Sequence, residues 1–128
     1  MTEFIPDLWC YATKQTKNFN MKNVYHVNCD KDLHYLTFSE HNLTKELDLL
    51  YRYIFYKLDD INKQLEDTNI VIVTCKSGKY IAPLVIACYL IKYGKMTIGD
   101  ALNAMKMKKN DIFEGQIYYS QILERLSR

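Results

Sequence analysis

The chain has 128 residues, of which 48% are hydrophobic and 25% charged, proportions typical of a soluble globular protein that folds as one domain over residues 1–128. Its net charge of +2, from 17 basic and 15 acidic side chains, is too balanced to indicate nucleic-acid binding, so no nucleic-acid partner is expected. No apolar run is long enough to cross a membrane, and the first residues do not resemble a signal peptide. We therefore expect a cytoplasmic or nuclear protein without a membrane partner.

Short strands are predicted in the first 40 residues. Residues 4–10, which include Pro6, predict an edge strand, because proline is tolerated at the edge of a sheet and not in its middle. The β-branched and aromatic residues of 23–28 and 33–38 predict two further strands.

A long helix, a buried strand and a buried helix are predicted next. Leucine and isoleucine recur every three or four residues over 43–65, which predicts an amphipathic helix. The apolar run in residues 69–74 predicts a central strand that is covered on both faces. Residues 81–93 predict a helix that is apolar nearly all round and therefore buried, with Gly94 at its C-terminal end.

Two more helices are predicted after Gly94. Thr97 is expected to cap a helix that ends near Lys108, and residues 114–126 predict the last helix. The order of these elements predicts an α/β fold, a single compact domain in which helices flank a central mixed or parallel sheet.

The four cysteines show neither the C-x-x-C spacing nor the histidine partners of a metal site. We therefore expect no metal and no cofactor. Cys10, Cys29 and Cys88 are predicted to be small buried residues. Cys75 differs, because it ends an apolar strand and begins a polar loop.

Residues 75–81, called here the 75–81 loop, join that strand to the next helix. Such a loop directs successive backbone N–H groups toward one point, and the helix dipole adds positive potential there. A phosphate would be held well in this concavity, and a cysteine at its base would be a candidate nucleophile. The predicted phosphate-loop residues are Cys75, Lys76, Ser77, Gly78, Lys79, Tyr80 and Ile81.

The loop and its flanks resemble those of the cysteine-dependent dual-specificity phosphatases, whose signature is H-C-x-x-G-x-x-R-S after a buried strand. Val71-Ile-Val-Thr-Cys-Lys-Ser-Gly keeps the strand, the cysteine and the glycine. The resemblance extends over about residues 4–126. Ile5-Pro-Asp-Leu-Trp, Val24-Tyr-His-Val-Asn, Ala101-Leu-Asn-Ala-Met-Lys and Tyr118-Tyr-Ser-Gln-Ile-Leu-Glu each look like a family segment, in the family's order. The resemblance implies the family's fold and a Cys75 nucleophile.

Four positions depart from the family pattern. Thr74 stands where the family has its histidine, Ile81 where it has the phosphate-clamping arginine, and Ala82 where it has a hydroxyl. The best match for the general-acid aspartate is Glu40. Because phosphoryl transfer depends on positioning and on neutralising oxygen charge, these losses predict a pseudophosphatase in which Cys75 and Glu40 are vestigial.

Several alternatives stay open from the sequence. Cys75 is either a remnant of the nucleophile, a small packing residue, an active nucleophile or a redox site. Lys76 and Lys79 are either a substitute cationic rim or ordinary solvated lysines, since lysine cannot reproduce the planar fork of arginine. If Cys75 is an active nucleophile and lysine stands in for the arginine, the chain would be a slow cysteine phosphatase. A further alternative is an RNA 5′-phosphate binder, which the modest net charge disfavours.

A pseudophosphatase acts by binding, so we expect a protein or phosphoprotein partner. The resemblance also allows a homodimer. Lysines in the C-terminal third could form a basic surface for an acidic partner. The alternative, that they are an ordinary solvated face, is favoured because lysines are common at helix ends. They are Lys92, Lys95, Lys106, Lys108 and Lys109.

Overall fold

A mixed sheet forms the centre of the protein. The computed structural model describes residues 2–13, 22–34, 36, 43–76, 78, 80–113 and 119–127. Within these residues four strands form the sheet, namely β1 (Thr2–Ile5), β2 (Leu8–Ala12), β3 (Val24–Asn28) and β4 (Ile70–Cys75). Their order across the sheet is β1-β2-β4-β3, with β1 antiparallel to β2, and β2 and β3 each parallel to β4. The predicted mixed sheet is confirmed.

Strand β4 is central because it is paired along both edges. All of its residues after the first are buried, which explains its apolar sequence. The register places Ala12 beside Cys75 and Asn28 beside Thr74. The carboxyl ends of three parallel strands therefore meet at one edge of the sheet, and the 75–81 loop begins there.

The prediction of one edge strand over residues 4–10 is wrong, because Pro6 and Asp7 form a turn that separates β1 from β2. Pro6 has no backbone N–H to continue the ladder. Asp7 takes a left-handed φ of 68°, and its N–H donates to Glu3 Oε2 at 3.0 Å. The edge strand is β1, whereas β2 lies inside the sheet.

The strand predicted over residues 33–38 is not present in its described part. A short helix, α1 (Cys29–Asp32), follows β3 directly, with the Asn28 side chain capping its first turn. Leu33 begins a turn and Leu36 lies in no strand, while the other positions that would test the prediction fall largely outside the described residues. Leu33 and Leu36 are both buried, so their spacing reflects packing onto the core and not a pleated strand.

The helical predictions agree better with the structure. The helices are α2 (Leu43–Glu66), α3 (Ile81–Lys92), α4 (Ile98–Lys108) and α5 (Tyr119–Ser127). The first three confirm the predictions within a residue or two. Residues 114–118, the start of the last predicted helix, lie outside the described residues.

Helix α3 is the centre of the helical layer, since it contacts β4, α2, α4 and α5. Its residues from 82 to 91 are all buried, as its apolar sequence predicts. Helix α2 faces it with a stripe at helical spacing. The stripe residues Leu50, Ile54, Leu58 and Ile61 are each at most 1% exposed. Among the described helices, none is both long enough and apolar enough to cross a bilayer.

Gly94 does follow α3, but for a different reason from the predicted one. The left-handed residue at this helix end is Lys95, with φ 57°. Gly94 is required by close approach, because a Cβ at this position would lie 2.5 Å from the carbonyl oxygen of Leu90. The tight exit shapes the surface between α3 and α4.

Candidate functional site

The 75–81 loop connects the central strand to the central helix, with Cys75 ending β4 and Ile81 beginning α3. Of the predicted site residues, the structure describes Cys75, Lys76, Gly78, Tyr80 and Ile81 and brings them together at the carboxyl edge of the sheet. Ser77, Lys79 and Glu40 lie outside the described residues. The geometry of the site therefore rests on the ends of β3, β4 and α3.

Gly78 fixes the path of the loop across β2. Its φ is 72°, a left-handed conformation that favours glycine. A Cβ at this position would lie 3.0 Å from the backbone nitrogen of Ala12. On the same side, the Cys10 thiol donates to the Gly78 carbonyl at 3.6 Å. The glycine of the family signature thus keeps its structural reason in this chain.

Three thiols lie under the loop. Cys75 is 3% exposed at its base. Burial raises the pKa of Cys10 to about 12, with a smaller electrostatic contribution from the nearby Cys75. The same two causes raise the pKa of Cys29 well above its ordinary value. Cys10 and Cys29 are therefore unreactive packing residues at neutral pH. Cys88 is also buried, so burial is confirmed for the three cysteines for which it was predicted, namely Cys10, Cys29 and Cys88.

Thr74, predicted to stand where the family has its histidine, is fully buried and polar. Its Oγ1 lies 2.8 Å from His26 Nε2 on the neighbouring strand β3, within hydrogen-bond distance. Burial lowers the pKa of His26, which favours the neutral ring. Thr74 is therefore one partner of the His26 ring, across the paired strands β3 and β4.

Ile81, predicted to stand where the family has its phosphate-clamping arginine, faces a cavity of about 370 Å³ beside the loop. We call it the Ile81 cavity. Its apolar lining is Cys29, Leu33, Leu36 and Ile81, and its polar lining is Asp30, His34 and Lys76. Ala82, the next residue, is fully buried and brings no hydroxyl to the site. Apolar surface thus occupies the side from which an arginine would act.

A carboxylate is bound to the start of the loop. Asp30 Oδ1 accepts a hydrogen bond from the backbone N–H of Lys76 at 2.9 Å. Its other oxygen, Oδ2, accepts one from the hydroxyl of Thr13 at 2.6 Å. The first backbone donor after Cys75 is therefore occupied by a negative side chain of the protein itself, where a phosphate-binding loop would offer it to an anion.

Helix α1 holds this carboxylate in place. Asp30 lies in α1, directly after β3, and α1 is tied to α2 through Asp32. The Tyr53 hydroxyl donates to Asp32 Oδ2 at 2.6 Å, and Lys57 Nζ lies 4.0 Å from the same oxygen. The contacts of Asp32, two residues after Asp30 in the same helix, thus help to fix the approach of Asp30 to the loop.

A comparison with models of protein families decides the relationship. The model of the dual-specificity phosphatase catalytic domain matches residues 9–127. The chain belongs to the dual-specificity phosphatase family. The match includes β3, β4, the 75–81 loop and all but the first residue of β2.

Solved structures of phosphatases and phosphatase-like proteins share this fold. A leucine-rich-repeat and phosphatase-domain protein from Entamoeba histolytica has a TM-score of 0.74 and 15% identity, covering 98% of this chain and 89% of its own. The human tyrosine phosphatase-like serine/threonine/tyrosine-interacting protein has a TM-score of 0.71 and 13% identity, covering 98% and 94%. The Cydia pomonella PTP-2 phosphatase has a TM-score of 0.52 and 13% identity, covering 97% and 88%. A comparison with curated protein sequences gives no significant match.

Sequence reasoning missed Asp30 in this dual-specificity phosphatase domain. The available signal was its position two residues after β3, because parallel strands bring their carboxyl ends together. Asn28 pairs with Thr74 in the sheet, so a carboxylate just beyond Asn28 lies close to the residue just beyond Cys75. Aligning the two strand ends would have placed Asp30 at the loop.

Proposed function

We propose that this dual-specificity phosphatase domain is a pseudophosphatase that acts by binding a protein partner and not by hydrolysing phosphate. The observation that carries the proposal is the hydrogen bond from the Lys76 N–H to the Asp30 carboxylate. A phosphate that entered the loop would compete with this carboxylate for a donor and would meet its negative charge. The carboxylate therefore opposes both substrate binding and the transition state.

The substituted positions act in the same direction. Ile81 offers apolar surface and no charge to the oxygens of a transferring phosphoryl group. Loss of a single preorganised donor costs a transition-state site about 10²–10³ in rate. Loss of a bidentate cation costs more, because an uncompensated dianion is then desolvated. The fully buried Ala82 removes the hydroxyl that would stabilise the leaving thiolate.

A slow cysteine phosphatase is the second candidate, and the placement of Cys75 at the end of β4 favours it. Lys76 is exposed beside the loop, but a lysine is a point charge without the planar fork of arginine. Glu40 as acid and Lys79 as cation stay predictions, since both lie outside the described residues. This candidate also has to overcome the Asp30 carboxylate.

The binding role agrees with the apolar character of the Ile81 cavity, which suits side chains better than phosphate. One protein of similar fold is named as a phosphatase-like, interacting protein, so the fold is compatible with such a role. We propose a protein partner, with a phosphoprotein or a second copy of the chain as narrower forms of the same role. The modest net charge argues against RNA as the ligand.

Turnover of para-nitrophenyl phosphate tests the proposal. Wild type and Cys75→Ser are compared at equal concentration, with circular dichroism showing that both are folded. The proposal predicts that the two release nitrophenol at the same rate as buffer. Wild-type turnover that disappears in Cys75→Ser would contradict it and establish the slow phosphatase.

A further inference from the structure

A second open site lies at the far end of α3 from the 75–81 loop. A cleft of about 780 Å³ is formed where the end of α3, the start of α4 and the end of α5 meet. We call it the α3–α4–α5 cleft. Ile81 and Ile91 are ten residues apart on one helix, which separates the two sites by about 15 Å along its axis.

The floor of the cleft is apolar. It is lined by Ile91 of α3, Met96 of the α3–α4 connection, Ile98 of α4 and Leu126 of α5. Met96 is 36% exposed, which is much for a methionine beside a hydrophobic core. Methionine adapts its shape to irregular apolar partners, so this floor suits the insertion of an apolar side chain.

The charged residues that line the cleft are all positive. They are Lys92 and Lys95, with no aspartate or glutamate among the lining residues. Lys92 Nζ lies 3.0 Å from Asp59 and 4.2 Å from the centre of the Phe55 ring. Lys92 therefore contributes mainly its aliphatic stem, and its charge is already balanced. Lys95 is exposed and has no ion-pair partner in the described part of the chain.

The start of α4 leaves room for a ligand. A Cβ added at Gly99 would meet no atom within 4 Å, so the surface above the first turn is open. Thr97 Oγ1 already accepts the N–H of Asp100 at 3.1 Å. Asp100 in the first turn of α4 offsets the positive end of the helix dipole, so the positive charge of this rim comes from Lys95.

We propose that the α3–α4–α5 cleft binds a segment of a partner protein in which an acidic residue lies next to an apolar side chain. The apolar side chain packs on Met96, Ile98 and Leu126, and the carboxylate lies near Lys95. Charge complementarity selects this occupant, because the rim is positive and the floor is apolar. A nucleic acid fits less well, since the cleft offers one unbalanced lysine and no arginine. The cleft is separate from the 75–81 loop, so its binding does not depend on the proposed loss of phosphatase activity.

Selection from a phage-displayed library of random dodecapeptides on the full chain tests this inference. Peptides in which aspartate or glutamate adjoins leucine, isoleucine, phenylalanine or methionine are expected to be enriched. The most enriched peptide is then synthesised, and its Kd is measured by fluorescence anisotropy for a set of variants. Failure to enrich acidic, apolar peptides would overturn the proposal.

The variants locate the binding site. Gly99→Trp fills the open surface and Lys95→Glu reverses the charge of the rim, and each is expected to weaken binding at least about tenfold. Three matched controls are expected to keep the wild-type Kd. Gly99→Ala controls for the backbone change, Cys75→Ser for the 75–81 loop and Lys106→Glu for the change in net charge. Unchanged binding in Gly99→Trp would overturn the proposal. So would a wild-type dimer in sedimentation equilibrium that Gly99→Trp dissociates, because the occupant would then be a second copy of the chain.

Discussion

Asp30 accepts a hydrogen bond from the backbone N–H of Lys76, across 2.9 Å in space and 46 residues in sequence. The contact joins the element after β3 to the loop after β4, and its acceptor is a charged carboxylate. In a phosphate-binding loop the corresponding donor serves the ligand. Here the acceptor is a carboxylate of the protein itself, and we propose that it disfavours a phosphate at the same place.

Removing this carboxylate should destabilise the fold. Asp30→Ala loses the hydrogen bonds from Lys76 and Thr13, and we expect the free energy of unfolding to fall by about 1 kcal/mol, a small value because the pair is exposed. Asp30→Asn keeps an acceptor oxygen and should lose less. Urea unfolding measures both, with the adjacent exposed Lys31→Ala as control. An Asp30→Ala protein as stable as wild type would show that the contact contributes nothing.

Two glycine-to-alanine substitutions should change stability in opposite directions. Gly78→Ala forces a side chain into a left-handed conformation and to 3.0 Å from the Ala12 backbone, and should cost about 1–2 kcal/mol or more. Gly99→Ala adds a methyl group in open space within α4 and should stabilise by about 0.5–1 kcal/mol. Thermal unfolding of both proteins checks the contrast. Equal effects would mean that the backbone at Gly78 is not constrained as described.

Much of the fold was predictable because local periodicity dominates it. The stripe of α2 and the apolar runs of β4 and α3 arise from burial on one side or on all sides, which leaves a pattern in neighbouring residues. The turn at Pro6 and the helix at Cys29–Asp32 were missed, because each depends on a few local hydrogen bonds and not on a period.

Only those parts of the candidate site that are close together in the sequence were predictable. Cys75, Gly78 and Ile81 were found because the strand, loop and helix that hold them are consecutive. Asp30 and His26 reach the site from β3 and its extension, and sequence spacing alone does not reveal such a contact. Their roles became visible once the parallel register of β3 with β4 was known.

The hydroxyl of Thr74 should be needed by its histidine partner. Thr74→Val keeps the shape but removes the hydrogen-bond partner 2.8 Å from His26 Nε2, and should cost about 1–2 kcal/mol in unfolding free energy. Thr74→Ser keeps the hydroxyl and loses only a methyl group, so it serves as control. Chemical denaturation distinguishes the two. If Thr74→Val matched wild type, the hydrogen bond would not contribute to stability.

Folding stability should depend on pH through His26. Burial lowers the pKa of His26 from its ordinary 6.5, and Asp32 partly opposes the shift. The unfolded chain therefore binds the proton more readily, so this contribution to stability is complete above pH 6.5 and is lost as the pH falls toward the lowered pKa of the folded state. We expect the urea midpoint to decline between about pH 7.5 and about pH 5.5, and less steeply in His26→Gln. If the urea midpoints of wild type and His26→Gln declined equally as the pH falls, His26 would not be the source of the pH dependence.

Titration with sulfate, followed through the backbone amide NMR signals of Lys76 and Gly78, measures whether the 75–81 loop still receives an anion. The pseudophosphatase proposal predicts no saturable shift in wild type, because Asp30 occupies the Lys76 N–H and Ile81 offers no charge to an anion. It also predicts a saturable shift in the double variant Asp30→Asn, Ile81→Arg, which shows that the loop itself can still receive an anion. Saturable binding of sulfate at these amides in the wild-type protein would contradict the pseudophosphatase proposal.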